Sequence, residues 1–125
     1  MSFFVYLIES PSAPDLYHCR SEGGVITQGL NLDKITSVVR TAINKEAFLA
    51  ALHVGLAESM KLYPEMVPIL HLSAHGDENG IQLSSGEVVN WEELKGLLTP
   101  LNQSLQGNLL LCMSACKGYF ACRMA

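Results

Sequence analysis

Two residues suited to covalent acyl chemistry occupy comparable places in this sequence. His75 follows the apolar run Val67-Pro-Ile-Leu-His-Leu-Ser73, and Cys116 follows Asn108-Leu-Leu-Leu-Cys-Met113. A cysteine attacks as its thiolate, and a neighbouring imidazole can draw off that proton and later hand one to a leaving amine. Both runs read as buried strands that stop where polar residues begin. Side by side and in similar register, they bring His75, two residues beyond its strand, and Cys116, three beyond its own, to one cleft. A helix predicted from Lys117 adds the partial positive charge of its N-terminus, which favours a thiolate. Gly76 lets the backbone approach a reacting group with no Cβ in the way, as an oxyanion hole built from N–H donors requires. The spacing alone suits a buried small cysteine and an ordinary loop histidine just as well.

A metal centre competes for the same residues. His71 and His75 are four apart, as are Cys112 and Cys116, and two histidines with two cysteines are a zinc-type donor set. Such spacing converges on a helix, whereas on a strand residues four apart are separated by about 13 Å along one face. No metal or other cofactor is therefore expected, and His71 and Cys112 are read as core residues beneath the site. Gly80 and Gly86 read as turn glycines. Asp77, Glu78 and Asp15 read as solvated loop acids. Cys19, His18 and His53 belong to no pattern, and Trp91, which opens a helix, is expected to pack rather than to recognise a ligand.

The elements that must position these residues alternate between strand and helix. Phe3-Phe-Val-Tyr-Leu-Ile8 is a continuous apolar run closed by Pro11 and Pro14, the character of a strand covered on both faces. Leu16 to Ile26, broken by Gly23-Gly24, suggests a short hairpin or an excursion at an edge. Thr36 to Ile43 leans towards strand. Asn44 then caps the clearest helix, with Phe48, Leu49, Leu52, Leu56 and Met60 at helical spacing until Pro64. After the strand ending at Ser73 comes a polar loop, Ala74 to Gly80. A small hairpin follows around Ser84-Ser-Gly86, and a second helix capped by Asn90, with Glu93 at its third position, runs to about Gln103. The alternation predicts an α/β sandwich with a largely parallel sheet, whose ligands bind beyond the carboxyl ends of the strands.

The bulk properties set the outer limits. The chain has 125 residues, 49% of them hydrophobic and 16% charged, which suits one globular domain spanning residues 1–125. Twelve acidic and eight basic residues give a net charge of −4, and the basic ones are scattered, so nucleic acid is not an expected partner. The first apolar run is too short to cross a bilayer and lacks the flanks of a signal peptide, so no membrane association is expected. Four cysteines without signs of secretion argue for reduced thiols and a cytoplasmic location.

From Val67 to about Cys122 the pattern resembles the caspase-like cysteine peptidases. The motifs that carry the resemblance are Leu72-Ser-Ala-His75-Gly76 and Met113-Ser114-Ala-Cys116, each at the end of a buried strand. They look most like the bacterial CHAT-type branch. Eukaryotic caspases usually have Gln at the place of Ser114 and metacaspases Asp, so cleavage specificity stays open here. The resemblance implies a three-layer caspase-like sandwich, with His75 as general base, Cys116 as acylated nucleophile, and the N–H groups of Gly76 and Cys116 as oxyanion donors. It implies a protein or peptide substrate and an endopeptidase activity. Further strands normally follow the nucleophile's helix, so these residues are expected to be the catalytic portion of a sheet incomplete at its C-terminus, completed by a homodimer or a C-terminal partner segment. The alternative is a catalytically silent caspase-like module that binds partners or regulates an assembly.

Overall fold

The computed structural model describes residues 2–12, 14 and 22–114. Within them lie strands β1 (Ser2–Ser10), β2 (Ser37–Thr41), β3 (Met66–Gly76), β4 (Gly80–Gln82), β5 (Val88–Asn90) and β6 (Leu110–Ser114). The helices are α1 (Glu22–Leu32), α2 (Lys45–Ala50), α3 (Leu56–Leu62) and α4 (Trp91–Ser104), with a π-helical turn, Ala51–Gly55, joining α2 to α3. The molecule is a mixed α/β structure with a mostly parallel sheet. β1 pairs in parallel with β2 on one side and β3 on the other, and β3 pairs in parallel with β6. The parallel strands therefore run in the order β2-β1-β3-β6, and the antiparallel hairpin β4-β5 extends from the far end of β3.

Strand alternation decides which side chains make the core. Phe4, Tyr6 and Ile8 of β1 lie in register with Val38 of β2 and with Leu70 and Leu72 of β3, which are in turn opposite Leu111 and Met113 of β6. On this face they meet Phe48, Leu52 and Leu56 from the α2–α3 helix and Leu94 and Leu98 from α4. Each fully buried side chain of this size contributes roughly 1.5–3 kcal/mol. Asn44 caps α2 by accepting from the Ala47 N–H at 2.8 Å, and Asn90 caps α4 by accepting from the Glu93 N–H at 2.7 Å, as the sequence led us to expect.

Two sequence expectations are corrected. Where a short hairpin or an excursion at an edge was expected from Leu16 to Ile26, the described part from Glu22 onward is helix α1, which packs against β1 and β2. Parallel pairing of β1 with β2 demands a crossover that a hairpin cannot supply. The glycine pair falls in the first turn, where backbone N–H groups lack helical partners anyway. Second, the long amphipathic run contains a π-helical turn that its periodicity does not reveal. The Leu56 N–H bonds to the Ala51 carbonyl, and that carbonyl also accepts from the buried Tyr6 hydroxyl at 2.6 Å. Among the described residues, no helix is long and apolar enough to cross a membrane.

Candidate functional site

β3 and the described part of β6 run side by side towards one edge of the sheet. Their register runs from Ile69 opposite Leu110 to Ser73 opposite Ser114. Thr41, Glu9, Ser73 and Ser114 thus occupy one row across four parallel strands, at the carboxyl ends of β1, β2 and β6. His75 stands two positions beyond Ser73 and is exposed. Cys116 lies outside the described residues, as do Cys19, Cys122, His18 and Asp15. The described part of β6 stops two positions short of Cys116.

His75 and Gly76 are not loop residues. β3 continues through both of them, because its end pairs with β4, His75 opposite Gln82 and Gly76 opposite Ile81. This corrects the expected strand end at Ser73. An antiparallel partner arriving later in the sequence carries the strand past the point where its apolar pattern stops. Ser84, just after β4, anchors to the end of β1. Its N–H donates to Ser10 Oγ at 2.8 Å and its own hydroxyl donates to the Pro11 carbonyl. β4 therefore takes over the edge of β3 that β1 leaves.

That pairing sets the direction of one backbone donor. The Asp77 N–H bonds to the Gly80 carbonyl at 3.0 Å. In an antiparallel ladder hydrogen-bonded and non-hydrogen-bonded pairs alternate, so Gly76 opposite Ile81 is a non-hydrogen-bonded pair. The Gly76 N–H is turned away from β4, towards the edge of β3 that β6 occupies. The loop beyond is held in two ways: the Asn79 N–H donates to Asp77 Oδ1 at 2.7 Å, and the Trp91 indole N–H donates to the Asp77 carbonyl at 3.0 Å. Trp91 is buried, so it packs as expected and also pins the segment after His75-Gly76. Asp77 and Glu78 are exposed.

Gly80 opens β4 at φ +152°, and a Cβ there would run into the backbone of Val89 and Asn90. It is a close-approach glycine that lets β4 lie on β5, beyond the plain turn role expected of it. The hairpin is tied to α2 through Glu87, whose Oε1 accepts from the Lys45 N–H at 3.0 Å and from the Ser85 hydroxyl at 2.9 Å. The bond from the Lys45 backbone, and then that from Ser85, lower the Glu87 pKa from its usual value.

His71 and Cys112 are paired directly opposite each other, but neither is a core residue as expected: His71 is half-buried and Cys112 exposed. Even-numbered positions of β3 point into the main core, whereas in β6 Leu111 and Met113 do so. His71 and Cys112 consequently share the other face. Among the described residues, no three or more histidine, cysteine or acidic groups are gathered to hold a metal ion.

The residue that sequence reasoning passed over is Glu9. It is only 6% exposed, at the end of β1, and accepts from the Thr41 hydroxyl in a long 3.4 Å bond. A lone carboxylate closing an uninterrupted apolar strand was the available signal. Comparison with protein-family models gives no match, and comparison with curated proteins gives none either.

Proposed function

We propose that this chain is the catalytic portion of a caspase-like cysteine peptidase of CHAT type, hydrolysing peptide bonds with Cys116 as nucleophile and His75 as general base. The observation that carries the reading is the register of β3 and β6. Ser73 faces Ser114 on neighbouring parallel strands, and in the sequence His75 and Cys116 each follow two positions later. Adjacent strands lie about 5 Å apart, within reach of an imidazole and a thiol. The strand order β2-β1-β3-β6 adds support, since ligands of such sheets bind at the carboxyl ends near the point where strand order reverses. Right-handed crossovers running outward through α1 and back through α2–α3 put α1 opposite the other helices, in keeping with a three-layer sandwich.

In this reading His75 takes the Cys116 proton and the thiolate adds to the scissile carbonyl carbon. The oxyanion is held by the Gly76 N–H, turned to the β6 edge, and by the Cys116 N–H. Collapse expels the amine, which leaves with the proton from His75. Water activated by His75 then hydrolyses the thioester. No cofactor enters the scheme, and a cytoplasmic location fits free thiols. β6 carries exposed Leu110, at 48%, and exposed Cys112. A second copy or a C-terminal partner segment extending the sheet from β6 belongs to the proposal, and the same surface favours, as a second reading, a silent partner-binding module.

Cleavage of a peptide library by the full chain tests the first reading. Cys116→Ala and His75→Ala are each expected to abolish it, and activity persisting in both variants refutes the assignment.

A further inference from the structure

We infer that the outer edge of β2 is a docking surface for a second copy of this chain, the two β2 strands pairing antiparallel about a two-fold axis at Val39. The inference is independent of the peptidase reading and concerns the opposite edge of the sheet from β6. β2 is the end strand of the order β2-β1-β3-β6, and none of its residues is buried. The Val5 N–H bonds to the Thr36 carbonyl at 3.0 Å and the Ala42 N–H to the Glu9 carbonyl at 2.8 Å. Alternate residues of a strand turn their backbone groups to the same side. Those of Val38 and Arg40 therefore also serve β1, and those of Ser37, Val39 and Thr41 turn outward. Among the described residues, nothing accepts from these outward N–H groups. The Val39 carbonyl meets Nη1 of Arg40 at 3.2 Å, which leaves the oxygen a second lone pair for a donor from outside. An unpaired edge of this kind is a template for another strand.

The sequence around Val39 makes β2 its own complement. An antiparallel pair centred there sets Val39 against its counterpart, and Ser37 against Thr41 of the other copy. Every outward residue then falls in a hydrogen-bonded pair that exchanges both N–H···O bonds, whereas a centre at Ser37 or Thr41 would leave outward groups unmatched. The same register brings Ile35, 38% exposed, beside Ile43 of the other copy, 50% exposed, once at each end of the pair. Charge fits as well. Asp33 and Lys34 precede β2, and Lys45 and Glu46 follow it, so antiparallel pairing sets an acid–base doublet beside a base–acid doublet and neither end gathers one sign. Arg40, the charge within β2, falls opposite Val38 of the other copy. Its side chain lies back over its own π-helical turn, with Nε 3.7 Å from where a Cβ at Gly55 would sit. Such a contact closes on itself as a two-fold dimer.

Sedimentation equilibrium of the full chain, combined with residue-resolved amide exchange at low and high concentration, tests this. The wild type is expected to dimerise, and exchange at Ser37, Val39 and Thr41 to slow as concentration rises, while Val38 and Arg40, bonded to β1, stay slow throughout. Val39→Pro deletes a donor that β1 does not use, at a place where an edge strand tolerates proline. It is expected to weaken association by about tenfold or more, since the symmetric pair loses two bonds. Ile35→Lys and Ile43→Glu are each expected to weaken it several-fold, and the double variant, which sets the new charges against each other across the interface, to recover it. A wild-type chain still monomeric at about 1 mM overturns the inference. So does protection of Ser37, Val39 and Thr41 already present in the monomer, which would put another segment or a foreign strand on the edge. A dimer that Leu110→Lys on β6 dissolves and Val39→Pro leaves intact also overturns it, and weakening by both single isoleucine variants without recovery in the double refutes the register about Val39.

Discussion

Replacing Gly55 by alanine tests the least expected feature of the core. In an ordinary helix interior this change stabilises by up to about 1 kcal/mol, because glycine has more backbone freedom to lose. Here the added methyl would be driven against the Tyr6 hydroxyl, at a separation that real side chains do not tolerate. Tyr6 has no exposed surface and its hydroxyl is bonded to the Ala51 carbonyl in the π-helical turn, so the ring has nowhere to retreat. Overpacking of this kind costs roughly 1–3 kcal/mol, and loss of the hydroxyl bond adds about 1 kcal/mol. Set against the propensity gain, Gly55→Ala should destabilise the fold by about 1–3 kcal/mol. The companion change is Tyr6→Phe, which removes the colliding oxygen; the next ring atom, Cζ, would lie 3.7 Å from the new methyl, an ordinary contact. In that background Gly55→Ala should be neutral or stabilising. Urea unfolding followed by circular dichroism gives both free energies, provided the slope is unchanged. An equal cost of Gly55→Ala with and without the hydroxyl would show that the clash is not the cause, and a more stable single variant would refute the reasoning outright.

Two further outcomes are expected. The lowered pKa of Glu87 means that the folded chain holds its carboxylate more readily than the unfolded chain does. The stabilisation is therefore present above the unfolded carboxylate pKa, near 4.3, and is lost as pH falls through the folded value. Glu87→Gln should lower the melting temperature at neutral pH and converge with wild type in acid, and a gap that persists there would contradict the assignment. Trp91→Phe keeps a packed ring but deletes the indole donor to the Asp77 carbonyl. It should cost about 0.5–1.5 kcal/mol and speed amide exchange at Asp77 and Asn79, while unchanged exchange would show that the indole does not hold the loop.

Much of the site's frame was legible in the chain. The strands at Phe3–Ile8, Val67–Ser73 and Asn108–Met113 announced themselves because a strand buried between neighbours needs apolar residues without interruption. The caps Asn44 and Asn90 were visible because their short oxygens satisfy specific N–H groups at fixed offsets. What escaped was decided by partners distant in sequence. The extension of β3 through His75 and Gly76 depends on β4. The π-helical turn depends on a hydroxyl from β1, and helix α1 depends on β1 and β2 being parallel. The face of Cys112 depends on the register of β6 against β3.

By itself the sequence determined the types of most elements, the apolar core positions of the long helix, and the identity of His75, Gly76 and Cys116 as the residues worth testing. These follow from local spacing, which the polypeptide's own periodicities translate into faces. Only the tertiary structure decided that β3 and β6 are neighbours in a register that sets Ser73 against Ser114, that the Gly76 N–H turns to the β6 edge, and that Glu9 is buried in the same row. Those relations are fixed by pairing between strands far apart along the chain, and pairing is a property of backbone geometry that no single strand's side chains encode.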